Sequence, residues 1–112
     1  MLKITSHKGF HLTFKNGWTA SVQFGPGSYS SQHDNWDFEA PRRVETFWES
    51  YDAEVAAWQR VDGKEGEMIN LGGDSVKGWL NADQVLSFLN WVAGDEHDVV
   101  ELEQMLQKDR EK

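Results

Sequence analysis

FHLTFKNGWTASVQFGPG, residues 10–27, contains two runs whose pairing decides the fold. Phe10, Leu12 and Phe14 alternate with His11, Thr13 and Lys15, and Trp18, Ala20, Val22 and Phe24 alternate with Thr19, Ser21 and Gln23. Period two marks half-buried strands. A two-residue Asn16-Gly17 turn would set Lys15 opposite Trp18 and Phe14 opposite Thr19, scattering apolar side chains over both faces. A three-residue loop, Lys15-Asn16-Gly17, with Gly17 left-handed in a G1 bulge, instead pairs Phe14 with Trp18, Leu12 with Ala20 and Phe10 with Val22. The stretch therefore predicts a hairpin with one continuous apolar face. The other face carries His11, Thr13, Thr19, Ser21 and Gln23 and reads as sheet surface turned to water.

Outward from the hairpin, Leu2 and Ile4 alternate with Lys3 and Thr5, which predicts a first strand joined to it as a meander. Residues 25–43, GPGSYSSQHDNWDFEAPRR, have neither helical nor strand periodicity, and loops this long in small domains tend to be functional or disordered. Tyr29, Trp36 and Phe38 give this one something to bury. Residues 44–51 fit either a helix opened by Pro41 or the lead-in to a strand. A strand follows at 53–59, Asp62-Gly63 marks a hairpin returning over 67–71, and 76–80 adds an edge segment. Asn81 with Gln84 forms a capping-box pattern, and Val85, Phe88, Leu89 and Val92 continue at helical spacing up to Gly94, which ends the helix as its C′ residue. Val99, Leu102, Met105 and Leu106 predict a second, shorter helix. The expectation is an α+β fold. It has an antiparallel sheet of about four to six strands, one long C-terminal helix on one face and a short helix at the C-terminus. The 112 residues make one domain, with 1–94 as its core and 95–112 as an acidic helical tail.

The chain has 19 acidic and 11 basic residues, a formal charge of -8. Residues 1–33 hold three lysines and no acid, so the hairpin is the electropositive end of an acidic protein. With only that end basic, binding to a nucleic-acid duplex is disfavoured. There is no cysteine, which excludes disulfides, thiolate catalysis and cysteine-bound metals. MLKITSHKGF lacks the apolar core of a secretory signal, and no apolar run approaches a membrane span, so a soluble, unprocessed cytoplasmic protein is expected.

No catalytic set stands out. Ser30, Ser31, His33 and Asp34 supply residue types for a nucleophile, base and orienter, but neighbours on a loop rarely have triad geometry. His7 and His11 are separated by a turn, so no metal site is expected, and no cofactor either. The glycine-rich run 72–78 with Lys77 superficially suggests a phosphate loop, yet it lacks the strand–loop–helix order and reads as a tight turn. Glu45, Glu49, Asp52 and Glu54 read as solvated acids. What remains suits binding. Tyr29, Trp36 and Phe38 are aromatic anchors, and Arg42, Arg43 and Lys77 are donors for phosphate or carboxylate. Ser31, His33 and His11 add hydrogen-bonding groups. The alternative for the 25–43 loop is a plain cover over the sheet.

On FHLTFKNGWTASVQFGPGSYSS, DAEVAAW and VLSFLNWVAG, the chain resembles a group of small uncharacterised proteins carried by bacteriophages and related mobile elements. The resemblance spans about residues 9–94 and assigns no chemistry to any residue. It implies a setting, the cytoplasm of an infected bacterium, where compact proteins often act on host factors. The reading is a small non-enzymatic binding protein that interferes with a host process, possible antiviral defence included, by binding a host protein or sequestering a nucleotide-like ligand. In the second case a base would stack on Trp36 or Tyr29. The alternatives are a small hydrolase using His33 with nearby carboxylates, or a structural protein of the particle that forms a homo-oligomer.

Overall fold

A computed structural model gives the architecture; it describes residues 1–5, 8–25, 28–31 and 49–110. The described elements are strands β1 (Leu2–Thr5), β2 (Gly9–Thr13), β3 (Trp18–Gln23), β4 (Ala53–Val61), β5 (Lys64–Met68) and β6 (Lys77–Leu80), then helices α1 (Ala82–Ala93) and α2 (Val99–Arg110). All strand pairs are antiparallel, in the order β1-β2-β3-β4-β5, with β6 sharing the outer edge of β4 with β5. This is the expected α+β fold. The two helices are of equal length, 12 residues each.

The hairpin has the register its pattern requires. Phe10 opposes Val22 and Leu12 opposes Ala20. The Phe14 amide donates to the Trp18 carbonyl, and Gly17 sits at φ 85 in the loop, a conformation that asks for glycine. At the next hairpin, Asp62 and Gly63 both have positive φ, the mark of a type I′ turn. The return strand β5 begins at Lys64, earlier than the expected 67.

The core lies between one face of the sheet and α1. Ala20, Val22, Val55 and Ala57 meet Phe88 and Val92 of α1, while Leu102 and Leu106 of α2 join the same cluster. The stretch 95–112 is therefore no mere tail, since α2 supplies core side chains. Gln84 explains part of this. It completes the capping box with Asn81 in both directions at 2.9 Å, and its Nε2 also donates to the Leu106 carbonyl at 2.9 Å. One side chain thus starts α1 and ties it to α2. Gly94 ends α1 as expected, with φ of -78 and ψ of 179 in the extended region. The carbonyl end of α1 is met from the hairpin, where Asn16 Nδ2 donates to Val92 O at 2.8 Å and to Gly94 O at 2.9 Å.

The polar face is not the solvated surface its residues suggested. Thr19 and Ser21 are buried, as are Ala56 and Trp58 behind them on β4. Among the described residues no helix is long and apolar enough to cross a membrane.

Candidate functional site

The site is built where β6 meets β4. Ala53 pairs with Leu80 and Val55 with Lys77, so Gly78 and Trp79 together face the single residue Glu54. Two residues against one is a β-bulge, a device that re-aims a side chain. Here it puts Trp79 at φ 62, the left-handed region that bulky residues avoid, and leaves its indole half exposed.

Tyr29 explains why the bulge holds. Its carbonyl accepts from the Trp79 amide at 2.8 Å, and its own amide donates to Glu54 Oε2 at 2.9 Å. A Cβ on Gly78 would lie 2.3 Å from the Tyr29 Cβ, so only glycine lets the two segments touch. Ser28 and Ser30 on either side are buried, and their hydroxyls are 2.8 Å apart.

Trp79 borders an open cleft of about 440 Å³ between β6 and α2, with Lys77, Gln84, Glu103, Gln107 and Arg110 among its walls. Glu103, Gln107 and Arg110 recur at helical spacing on one flank of α2. Lys77 Nζ lies 3.8 Å from Glu103 Oε1, a long, half-exposed ion pair. The cleft therefore combines an aromatic ring, two cations and amide groups. One carboxylate, Glu103, shares the cleft with them.

The expected site residues separate into groups. Lys77 lines the cleft, whereas Tyr29 touches the backbone of Gly78 and is not among the cleft walls. Ser31 is turned to architecture: its hydroxyl lies 2.9 Å from that of Ser50 and accepts from the Tyr51 amide, while its own amide donates to Asp52. These bonds pin residues 31 and 50–52 together. His11 stands elsewhere, on β2, with its ring edge-on to Trp58 at 5.0 Å. Burial pushes its imidazole below the ordinary value; Glu65 raises it and Lys3 lowers it further. His33, Trp36, Phe38, Arg42 and Arg43 lie outside the described residues, as does most of the 44–51 segment.

The run 72–78 is a turn rather than a phosphate loop. Asn70 Oδ1 accepts from the amides of Gly72 and Gly73 at 2.9 and 2.7 Å, and Asp74 Oδ1 takes the amide of Ser75. Those three amides are therefore already engaged within the turn. His97 is also structural, with its Nε2 2.9 Å from Val92 O and its ring against Trp18 and Trp91. Among the described residues no group of three or more His, Asp or Glu side chains is placed to hold a metal ion.

Sequence reasoning missed Trp79, Gln107 and Arg110. The available signal was Gly78-Trp79 inside a strand, since glycine in a strand often marks a bulge. Fold and site together define a small α+β protein with an aromatic, cationic cleft at one sheet edge. No family model matches the chain, and neither do curated proteins or solved structures.

Proposed function

We propose that this chain is a small binding protein that holds a nucleotide-like anion in the cleft between β6 and α2. The base stacks on Trp79, and Lys77 and Arg110 meet the phosphate. Gln107 offers an amide to the base or sugar. The observation that carries this reading is the left-handed Trp79. Such a backbone stores on the order of 1–3 kcal/mol, and strain of this kind clusters at ligand sites. Its product here is an exposed aromatic platform beside two cations, in a cleft large enough for a mononucleotide.

Phosphate carries more charge than a carboxylate and offers three acceptor oxygens, so it displaces Glu103 from Lys77 without cost to the core. The reading includes no reaction: the protein retains its ligand and releases it unchanged. The resemblance to phage proteins supplies a setting, in which a host defence pathway signalling through nucleotides is silenced by sequestration.

Isothermal titration calorimetry against mono-, di- and cyclic nucleotides tests this. Binding of at least one class is expected at micromolar affinity or tighter, weakened at least about tenfold by Trp79→Ala and by Arg110→Ala. Absence of binding across the panel overturns it.

A further inference from the structure

Among the residues described on the walls of the Trp79 cleft, Glu103 alone is acidic, and its carboxylate has a prepared place there. A Cβ on Gly72 would collide with Glu103 Oε1 and lie 2.9 Å from its Cδ, so only glycine leaves room for the carboxylate against that turn. Gly72 has φ 102, its amide donates to Asn70 Oδ1, and the amide of the buried Leu71 donates to the Asp74 carbonyl at 2.7 Å. On α2, Leu102 and Leu106 beside Glu103 are buried as well. The turn and the helix that bracket the carboxylate are thus both anchored in the core.

The carboxylate lacks a hydrogen-bond donor. Lys77 Nζ stands 3.8 Å from Oε1, beyond hydrogen-bond length, and among the described residues no other group donates to Glu103. A carboxylate can only accept. The inference that follows rests on the nucleotide reading of the cleft. Once a phosphate takes Lys77, Glu103 loses its counter-charge and is left beside an anion, so a ligand that offers a donor at that point is favoured.

A nucleotide has two kinds of donor, the sugar hydroxyls and the N–H groups of the base. The hydroxyls are a few bonds from the phosphate, whereas the donor edge of the base points away from it. Lys77 and Glu103 are neighbours, so the part of the ligand next to the phosphate is the part that reaches Glu103. Gln107, one turn along α2, is left for the base. In 5′-mono- and diphosphates and in 3′,5′-cyclic monophosphates alike, the free hydroxyl of a ribonucleotide is the 2′-hydroxyl.

We propose that Glu103 accepts a hydrogen bond from the ribose 2′-hydroxyl and makes the cleft selective for ribonucleotides over deoxyribonucleotides. A carboxylate recognises the same hydroxyl in dinucleotide-binding folds, and this group is what separates the two sugar classes. The selectivity is moderate, because Glu103 is half exposed and water takes the place of a missing hydroxyl.

Calorimetric titration with the 5′-mono- and diphosphates and 3′,5′-cyclic monophosphates of adenosine and guanosine, each beside its 2′-deoxy form, tests the assignment. For the nucleotide that binds, loss of the 2′-hydroxyl should weaken wild-type binding at least about fivefold. In Glu103→Ala the ribo and deoxy forms should bind within about twofold of each other. Glu103→Gln keeps an acceptor oxygen and should retain part of the preference. Both changes lie on the outer side of a helix, and unchanged circular dichroism is the folding control. Equal wild-type binding of ribo and deoxy forms overturns this proposal and leaves the nucleotide reading standing. A preference that persists undiminished in Glu103→Ala overturns it equally, since the mutant–ligand cycle then shows no coupling. Absence of binding by every nucleotide overturns both.

Discussion

The amide of Trp79 donates to the carbonyl of Tyr29 across 2.8 Å, fastening the left-handed residue at the rim of the cleft to the loop beside it. The bond links the two parts of the candidate site. It also makes the strain at Trp79 measurable.

At an ordinary strand position alanine is more stable than glycine by about 0.5–1 kcal/mol. At position 79 the order should reverse. Trp79→Gly relieves the left-handed backbone and Trp79→Ala does not, so the glycine variant should be more stable by about 1–2 kcal/mol in urea unfolding. The usual order would show that the backbone relaxes out of the left-handed region once the indole is gone.

Gly78 and Tyr29 should be coupled. Gly78→Ala forces a methyl against the Tyr29 Cβ, and a destabilisation of about 1–3 kcal/mol is expected. Tyr29→Gly removes the obstructing atom. The double variant should therefore recover at least about 0.5 kcal/mol relative to the sum of the single changes. Additive effects would mean that the two segments do not touch.

Asn16 joins the hairpin loop to the end of α1 through two carbonyls and also accepts from the Trp18 amide at 3.0 Å. Asn16→Ala should lower stability by about 1–3 kcal/mol. Asn16→Asp should be worse, because it replaces the amide donors with a carboxylate facing the Val92 and Gly94 carbonyls. Thermal unfolding of the two variants checks the order.

His11 makes stability depend on pH. Burial holds its folded imidazole below the ordinary 6.5, so the unfolded chain takes up the proton first as pH falls. This contribution is complete above about pH 6.5 and is lost on descent toward the lower folded value. Urea midpoints measured from pH 7.5 to 5.5 should fall more steeply for wild type than for His11→Gln. Parallel slopes would contradict a buried, neutral imidazole.

Local rules made much of this fold readable. The alternation of Phe10 to Phe24 fixed the register of the β2–β3 hairpin, Asp62-Gly63 marked the turn between β4 and β5, and Asn81 with Gln84 marked the start of α1. What failed depended on partners distant in sequence. The bulge at Gly78-Trp79 exists because only Glu54 lies opposite, a count no local window contains. Gly94 was legible as the end of α1, but its carbonyl partner Asn16 lies 78 residues away. Thr19 and Ser21 have the composition of a surface and the burial of an interior. For the site, Tyr29 and Lys77 were legible as residue types, but the exposed Trp79 became visible only once β6 was paired.

Trp79 is proposed as the stacking platform of a nucleotide site. The most direct measurement follows the six indole Nε1–H resonances in ¹H–¹⁵N spectra, with the Trp79 peak assigned by Trp79→Phe, as the tightest-binding nucleotide is titrated in. The Trp79 signal should move furthest, by ring-current shift, and Lys77→Ala should raise the nucleotide concentration at which it moves. A nucleotide that shifts other indoles while leaving Trp79 in place, or that shifts none, would contradict it.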